Sequence, residues 1–448
     1  MGIVLLLLSL AILVLLVFKG VPIFFSAVLS SLFCLITAQM FTGGIDVISG
    51  MVSTASLSDT SAAPSYVTGL AKYFGSYFWM FILGALFGKL YEVSGAAEAV
   101  ANGIVNKLGE RAIIPAIIIA GFLLTYGGVS VFVCFFALYP LMLSMLQRAD
   151  ISRTLIPALY FAGAGTASGW MPGSPQLQNT IPADALGVSY SVAFAPGMIA
   201  GIFEMALVFL WIFYCVKQSK AKGLHFEITA SDKEAMARLD NQNTTGFFLA
   251  LIPMAVLLVV LNGTKLGAPT SLFIGVIAAL LCFFRQLDWK NIWKILQQGL
   301  LGGVGSLFNT AAVVGFGAVV QGTPAFGQII DMLLGISGNP LIVSVISVAI
   351  MAGVCGSGTG GEGIALPIIK EYFMEGMTAV QVEGLARCCG LSALTLDSLP
   401  HCGLVVTVID YSGNTHRSSY WQAGVVNVII PIISLLLLLV LCNIFGYA

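Results

Sequence analysis

The sequence predicts an all-α polytopic membrane protein built from two inverted repeats, each with a re-entrant helical hairpin and a broken membrane helix. Of the 448 residues, 58% are hydrophobic and only 9% are charged, and the mean hydropathy is +0.99. A soluble protein of this size cannot bury so much apolar surface. Apolar stretches of membrane-spanning length recur along the chain, and two interrupted stretches repeat at a nearly constant offset.

The composition also excludes several functional classes. Nineteen basic and twenty acidic residues give a net charge of −1, so the chain has no basic character for binding nucleic acid. The H-E-x-x-H and G-x-x-x-x-G-K-[ST] motifs are missing, and the nine cysteines form no C-x-x-C pair, so we expect no metal site and no cofactor. The lipid bilayer is the predicted surrounding, and the cysteines are read as apolar packing residues.

The regular spans are apolar stretches of about 20 residues. They lie near residues 2–18, 21–40, 73–92, 189–216, 246–262, 267–284, 301–321 and 419–446. The first stretch lacks a basic leader and a cleavage site, so it is predicted to be a retained span. The sizeable polar loop at 217–245 divides a first repeat, 1–216, from a second, 246–448, and we expect it to be a cytoplasmic connector.

Two regions, 112–187 and 340–412, are apolar but interrupted. In the first, the arms 112–126 and 131–146 contain 15 and 16 residues, about 22–24 Å of helix. Neither arm comfortably crosses a hydrocarbon core of about 30 Å. Because glycines separate the arms, a re-entrant hairpin fits better than two short spans. The second region repeats this plan, with arms at 341–354 and 364–373 and a glycine-rich break at 355–363.

A span broken at its middle follows each hairpin, at 168–175 and at 396–403. Pro172 and Pro400 are 228 residues apart, and Ser130 and Ser357 are 227 apart. Five crossings per half make the halves inverted relative to each other. If the loop 217–245 is placed in the cytoplasm, fifteen basic residues lie on the cytoplasmic side and four lie outside, as the positive-inside rule requires. The four predicted outside are Lys72, Lys265, Lys370 and Arg387.

Irregular backbone at membrane depth is tolerated where it lines a cavity. Half-helix N-termini there suit an anion and exposed carbonyls suit a cation, which is the plan of a secondary transporter. Asp397 and Glu362 are the carboxylates assigned to the breaks, and both are candidates for the coupling ion or proton. Asp397 is the first choice for coupling and Glu362 the next. Alternatively, either carboxylate could have a purely structural role, as a cap of a neighbouring half-helix or in an ion pair with Arg387.

Polar and glycine residues at the breaks are the candidate substrate-binding groups, because hydroxyls replace water around a carboxylate and glycines permit close approach. They are Thr125, Gly127, Gly128, Ser130, Ser357, Gly358, Thr359, Ser398 and His401. The hydroxyls could equally bond back to helix carbonyls, and His401 could be a packing residue. Glu204 has no obvious partner, and its role is open.

An anion channel and a membrane-embedded enzyme are the rival interpretations. Four breaks with embedded carboxylates favour a carrier, because a carrier needs an occluded site. Pro400 separates Asp397 from His401, and no nucleophile or metal-ligand set stands beside them, which disfavours an enzyme. The scarcity of buried cations favours a monocarboxylate or hydroxy acid over a tricarboxylate.

The segments Gly356–Ile364 and Asp397–Gly403, followed by Thr-His-Arg at 415–417, resemble the gluconate permease family of the ion transporter superfamily. The likeness is strongest to its D-3-hydroxybutyrate permease branch. It implies an elevator-type carrier, a homodimer in the bacterial cytoplasmic membrane, that takes up a small organic acid anion with H⁺ or Na⁺. It also implies site roles for Ser357, Thr359, Asp397, Ser398 and His401. Cys402 stands where the family usually carries Asn, which keeps a citrate or dicarboxylate carrier of the superfamily as an alternative.

Overall fold

A computed structural model describes residues 2–43, 46–58, 63–108, 112–228, 232, 245–264, 266–328, 339–400 and 402–448. The chain is about 80% helical, and the described residues form no strand. The helices of the first half are α1 (Gly2–Phe18), α2 (Ile23–Thr42), α3 (Tyr66–Val93), α4 (Ala96–Leu108), α5 (Ile113–Tyr126), α6 (Val131–Ala149), α7 (Ile156–Ala164), α8 (Leu177–Leu186) and α9 (Phe194–Ala221). Short helical turns cover Val47–Val52, Ala55–Ser58 and Ala167–Trp170.

Apart from α4, the helices of the first half recur in the same order in the second half. Those of the second half are α10 (Phe247–Gly263), α11 (Gly267–Cys282), α12 (Ile292–Gln321), α13 (Pro340–Cys355), α14 (Gly358–Tyr372), α15 (Ala379–Ala393), α16 (Gly403–Tyr411) and α17 (His416–Ile444). In both halves a long helix, α3 or α12, precedes two short helices joined by a turn, then a broken helix, then a second long helix, α9 or α17. The predicted order of elements is therefore present.

Five helices within the described residues are long and apolar enough to cross a membrane. They are Ile23–Phe41, Tyr66–Val93, Phe194–Ala221, Ile292–Gln321 and His416–Ile444. The shorter predicted spans correspond to α1, α10 and α11. Large apolar side chains are exposed along the outside, with Trp293 at 81%, Phe248 at 75% and Ile48 at 71%. Such a surface suits lipid rather than water, and the polytopic all-α prediction is confirmed.

The helices pack in two groups. The long helices α3 and α12 pack against each other; α2, paired with α1, packs on α12, and α11, paired with α10, packs on α3. The second group contains the paired short helices, the broken helices and the long helices α9 and α17. Helix α14 packs against α12, and α6 packs against α3, so the paired short helices join the groups.

We name four segments of the second group. The first hairpin is α5 and α6, the second hairpin is α13 and α14, the first broken span is α7 to α8, and the second broken span is α15 to α16. At 14 to 19 residues, the hairpin helices are about 21–28 Å long.

The glycine-rich tip of the second hairpin differs from the prediction. The break expected at 355–363 shrinks to Gly356 and Ser357, because α14 already begins at Gly358. The Ser357 side chain accepts a hydrogen bond from the Gly360 N–H and so caps the new helix. A side chain at Gly361 would lie 2.3 Å from the backbone nitrogen of Ala352, so glycine lets the two hairpin helices touch. Glu362 therefore lies inside a helix rather than in a break.

The connector 217–245 is described up to residue 228 and at positions 232 and 245. Asp232 accepts hydrogen bonds from the Arg153 guanidinium at 2.9 Å and from the Tyr139 hydroxyl at 3.0 Å. Arg153 also donates to the Ser412 carbonyl at 2.6 Å. Arg153, 8% exposed, thus joins the first half to the connector and to the second half.

Candidate substrate and ion site

The tip of the first hairpin is held by the first broken span. Gly128 takes a φ of +102° in the turn, a conformation that glycine adopts at little cost. The Gln176 side-chain amide donates to the Thr125 carbonyl at 2.5 Å and to the Val129 carbonyl at 3.0 Å. The Tyr126 hydroxyl donates to the Pro172 carbonyl at 2.7 Å. Donors from the break therefore satisfy carbonyls that the end of α5 leaves free.

The tip of the second hairpin lies against the second broken span at Asp397. The Asp397 carboxylate accepts a hydrogen bond from the Ser398 hydroxyl at 2.9 Å, and a side chain at Gly358 would lie 3.3 Å from its other oxygen. Gly358 is the first residue of α14, so the carboxylate lies at the positive end of that helix dipole. The negatively charged form of Asp397 is thus stabilised by the positive end of α14, and the side chain is 8% exposed.

Glu362 lies one turn further along α14 in a very different environment. Its side chain is fully buried, at 0% exposure. Within the described part of the chain, neither carboxyl oxygen has a hydrogen-bond partner. Asp397 and Tyr77 lie within electrostatic range of it. The structure therefore brings the two predicted carboxylates together, one with a hydrogen-bond donor and the other with none among the described residues.

The two broken spans lie against each other at their breaks. A side chain at Gly169 would meet the Leu394 side chain at 2.9 Å, and one at Gly390 would meet the Gln178 carbonyl at 2.5 Å. Helix α8 also packs against α14 and α15. Irregular backbone from both halves thus forms one region.

Arg387 clamps this region from α15. Its guanidinium donates to the carbonyls of Trp170, Tyr190 and Val192 and to the Asn179 side-chain oxygen. This residue, which the sequence analysis counted among the outside charges, is 2% exposed and is therefore buried in the fold. No salt bridge joins it to Asp397 or Glu362 in the described residues, because its acceptors come from the first half. The sequence carried one indication of this buried role, because a basic residue within an apolar stretch usually has partners inside the protein.

Glu204 has a partner that the sequence did not reveal. The Trp170 indole N–H donates to one of its carboxyl oxygens at 2.7 Å, while the other oxygen has no partner among the described residues. Glu204 is fully buried on α9. The next turn of α9 packs on the same break, since a side chain at Gly201 would meet Met171 at 2.6 Å. This contact anchors α9 to the first broken span.

The remaining predicted residues occupy the tips in varied ways. The Thr125 hydroxyl donates back to the Gly121 carbonyl at 2.8 Å, and Gly127 packs on Met254. Ser130 precedes α6 and makes no capping bond. The Thr359 carbonyl accepts from the Tyr73 hydroxyl at 3.3 Å.

His401 lies outside the described residues. The neighbouring break contacts His416, whose Nε2 lies 2.9 Å from the Pro400 carbonyl oxygen. The Tyr420 hydroxyl donates to the Ser398 carbonyl at 3.1 Å. Both contacts come from the start of α17, and Cys402 is buried at the start of α16.

Comparison with known proteins identifies the family. The sequence model of the GntP family permeases matches residues 1–266, more than half of the chain. The chain belongs to the GntP permease family. It is therefore a multi-pass membrane transporter and not an enzyme.

The relatives of this GntP permease are bacterial. It is 28% identical to the uncharacterized transporter YxjC of Bacillus subtilis, over 94% of each chain. It is 25% identical to a gluconate permease of Zymomonas mobilis, over 73% of this chain and 77% of the relative. These relatives place it in the bacterial inner membrane.

Its fold is similar to that of a solved transporter. The crystal structure of the YdaH transporter from Alcanivorax borkumensis, whose topology is described as unusual, aligns with a TM-score of 0.55. The match covers 85% of this chain and 88% of that one, at 15% sequence identity. At this identity the likeness concerns the fold alone.

Proposed function

We propose that this GntP permease is a secondary active transporter that moves a small organic acid anion, such as gluconate or 3-hydroxybutyrate, together with H⁺ or Na⁺. One observation supports this most strongly: each hairpin tip is bound to the break of its own half, and two carboxylates lie at the second tip. Carriers with such broken helices bind an anion at half-helix N-termini and a cation nearby. Relatives named as gluconate permeases support the substrate class.

The substrate carboxylate is proposed to bind at the tips. The hydroxyls of Ser357 and Thr359 lie 3.2 Å apart at the start of α14 and would donate to the substrate. Ser398 extends this group from the second break. Thr125, Gly127, Gly128 and Ser130 would line the opposite side at the first tip, and His401 would complete the set.

The architecture of the transport cycle is also a proposal. Halves 1–216 and 246–448 would be inverted in the membrane and joined by the connector 217–245, with the hairpins re-entering from opposite sides. The hairpins, broken spans, α9 and α17 would move as an elevator-type transport domain. The group around α3 and α12 would form the scaffold of a homodimer. The repeated element order and the two packing groups support this division.

Transport by purified protein in liposomes tests the proposal. We expect saturable uptake of radiolabelled gluconate or 3-hydroxybutyrate that an imposed H⁺ or Na⁺ gradient drives uphill, and none in protein-free liposomes. Uptake that never exceeds equilibrium under any gradient would support a channel. Inhibition by citrate, with none by either hydroxy acid, would support the citrate or dicarboxylate alternative.

A serine pair gives a matched test of the site. Ser357→Ala removes a tip hydroxyl, and the loss of one hydrogen bond predicts a rise in KM of about 3–10-fold. Ser347→Ala removes a hydroxyl that only bonds back to the Val343 carbonyl at 2.8 Å in the same hairpin. Its KM should match that of the parent. Equal KM values for both variants would remove Ser357 from the site.

A further inference from the structure

The two carboxylates of the second tip differ in the hydrogen bonds that they receive. Asp397 accepts a hydrogen bond from the Ser398 hydroxyl and lies at the start of α14, where a side chain at Gly358 would be 3.3 Å from its carboxyl oxygen. Glu362 accepts from no group in the described residues, although it is fully buried. An ionised carboxylate is acceptor-only and needs donors at both oxygens. The arrangement therefore suits a neutral Glu362.

The described groups packed around Glu362 supply no positive charge. Its helix packs on α13 at Ala352 and on α12 at Val314, neither of which is ionisable. Tyr77 of α3, Cys389 of α15 and Asp397 lie within electrostatic range. Charging Glu362 would place a second negative charge near Asp397 without a compensating cation, and this favours its neutral form.

A proton suits this position better than Na⁺ does. In transporters Na⁺ is held by carbonyls of unwound backbone. Glu362, however, lies inside α14, where the carbonyls belong to a regular helix. A proton needs only the carboxyl group itself.

We propose that Glu362 is the carboxyl group that carries the coupling proton, while the Asp397 carboxylate latches the second hairpin tip to the second broken span. This reverses the order favoured by the sequence, and it rests on the proposed transport function. With Glu362 protonated, α14 packs closed against α13, and Glu362 adds no charge of its own while the site crosses the bilayer. Release of the proton creates two adjacent negative charges, which push the tip away from the break and open the site.

Three carboxyl-to-amide variants in proteoliposomes test the proposal. Glu362→Gln mimics the protonated state permanently, so accumulation driven by a proton gradient should fall to unity while substrate exchange across the membrane continues. Asp397→Asn weakens the charge-assisted latch, so uptake and exchange should both slow by about tenfold while the accumulation ratio stays above unity. Glu371→Gln is the matched control, since Glu371 lies on the same helix but is exposed, and it should behave as the parent.

The opposite pattern overturns the proposal. Uphill accumulation by Glu362→Gln at the parental level, or its loss in Asp397→Asn with exchange intact, assigns the proton elsewhere. Accumulation driven by a Na⁺ gradient and indifferent to the pH gradient also overturns it.

If a variant does not fold, a measurement on the unaltered protein shows which carboxyl group is protonated. Dicyclohexylcarbodiimide modifies protonated carboxyl groups in apolar surroundings, and peptide mass spectrometry locates the adduct. We expect modification of Glu362 that declines at high pH and none at Asp397; an unmodified Glu362 contradicts the proposal. This assay needs no substrate, so it tests the assignment of the proton separately from the transport proposal. If the unaltered protein transports neither hydroxy acid, the transport proposal is refuted and the modification result still decides whether Glu362 is protonated.

Discussion

Gly361→Ala is a sharp test of the contact that holds the second hairpin together. The added methyl carbon would lie 2.3 Å from the backbone nitrogen of Ala352 and 2.5 Å from its Cα. Ordinary van der Waals contact begins near 3.4 Å, so α13 and α14 must separate by about 1 Å. Overpacking of this kind costs about 1–3 kcal/mol, and backbone cannot rotate away as a flexible side chain would.

The matched control is Gly302→Ala in α12, where an added methyl would meet nothing within 4 Å. Both changes give the helix the same gain in propensity, about 1 kcal/mol, so the difference between the variants isolates the steric term. With an unfolding entropy near 2.1 cal/mol/K per residue, this term corresponds to about 1–3 °C in Tm for a chain of this length.

Thermal unfolding of both proteins in the same detergent, followed by circular dichroism, measures that difference. We expect Gly361→Ala to melt below Gly302→Ala and to lose uphill transport, because its neighbour Glu362 moves with the helix. An equal or higher Tm for Gly361→Ala would refute the close packing of the hairpin.

Two further predictions concern Arg387 and the orientation of the chain. Arg387→Met leaves buried carbonyls of the first break without a donor, so it should lower the free energy of unfolding by about 3–5 kcal/mol and lower the Tm. The control, Arg417→Met at an exposed position, should change the free energy of unfolding by no more than about 0.5 kcal/mol. Equal Tm values for the two variants would contradict the role of Arg387. In a cysteine-free background, a membrane-impermeant maleimide should label Lys370→Cys from outside and Arg148→Cys from the cytoplasm; labelling of Lys370→Cys from the cytoplasm alone would refute the inverted topology.

The sequence alone established most of the architecture. Composition and apolar length predicted the membrane class and the long helices, because a bilayer demands about 20 apolar residues for a helix that spans it. Glycine and proline located both hairpin turns and both breaks, because these residues interrupt helices by their own backbone chemistry. The offset between Pro172 and Pro400 predicted the repeated order of elements.

Sequence patterns erred where a distant partner decides the outcome. The glycines after Ser357 read as a break, yet they form helix because they pack against Ala352. Arg387 read as an outside charge, yet its acceptors lie about two hundred residues away in the first half. Glu204 looked solitary, although the Trp170 indole reaches it.

What the sequence determined are the properties that each segment carries by itself: hydrophobic length, helix-breaking residues and the presence of two acids near the second hairpin tip. Only the tertiary structure decided the surroundings of each acid. Asp397 lies at the start of α14, where a side chain at Gly358 would be 3.3 Å from its carboxyl oxygen. Glu362, one helical turn away, is buried without a hydrogen-bond partner among the described residues. Local periodicity cannot distinguish the two, because the free energy of a buried charge depends on groups brought close by folding rather than on neighbours in the chain.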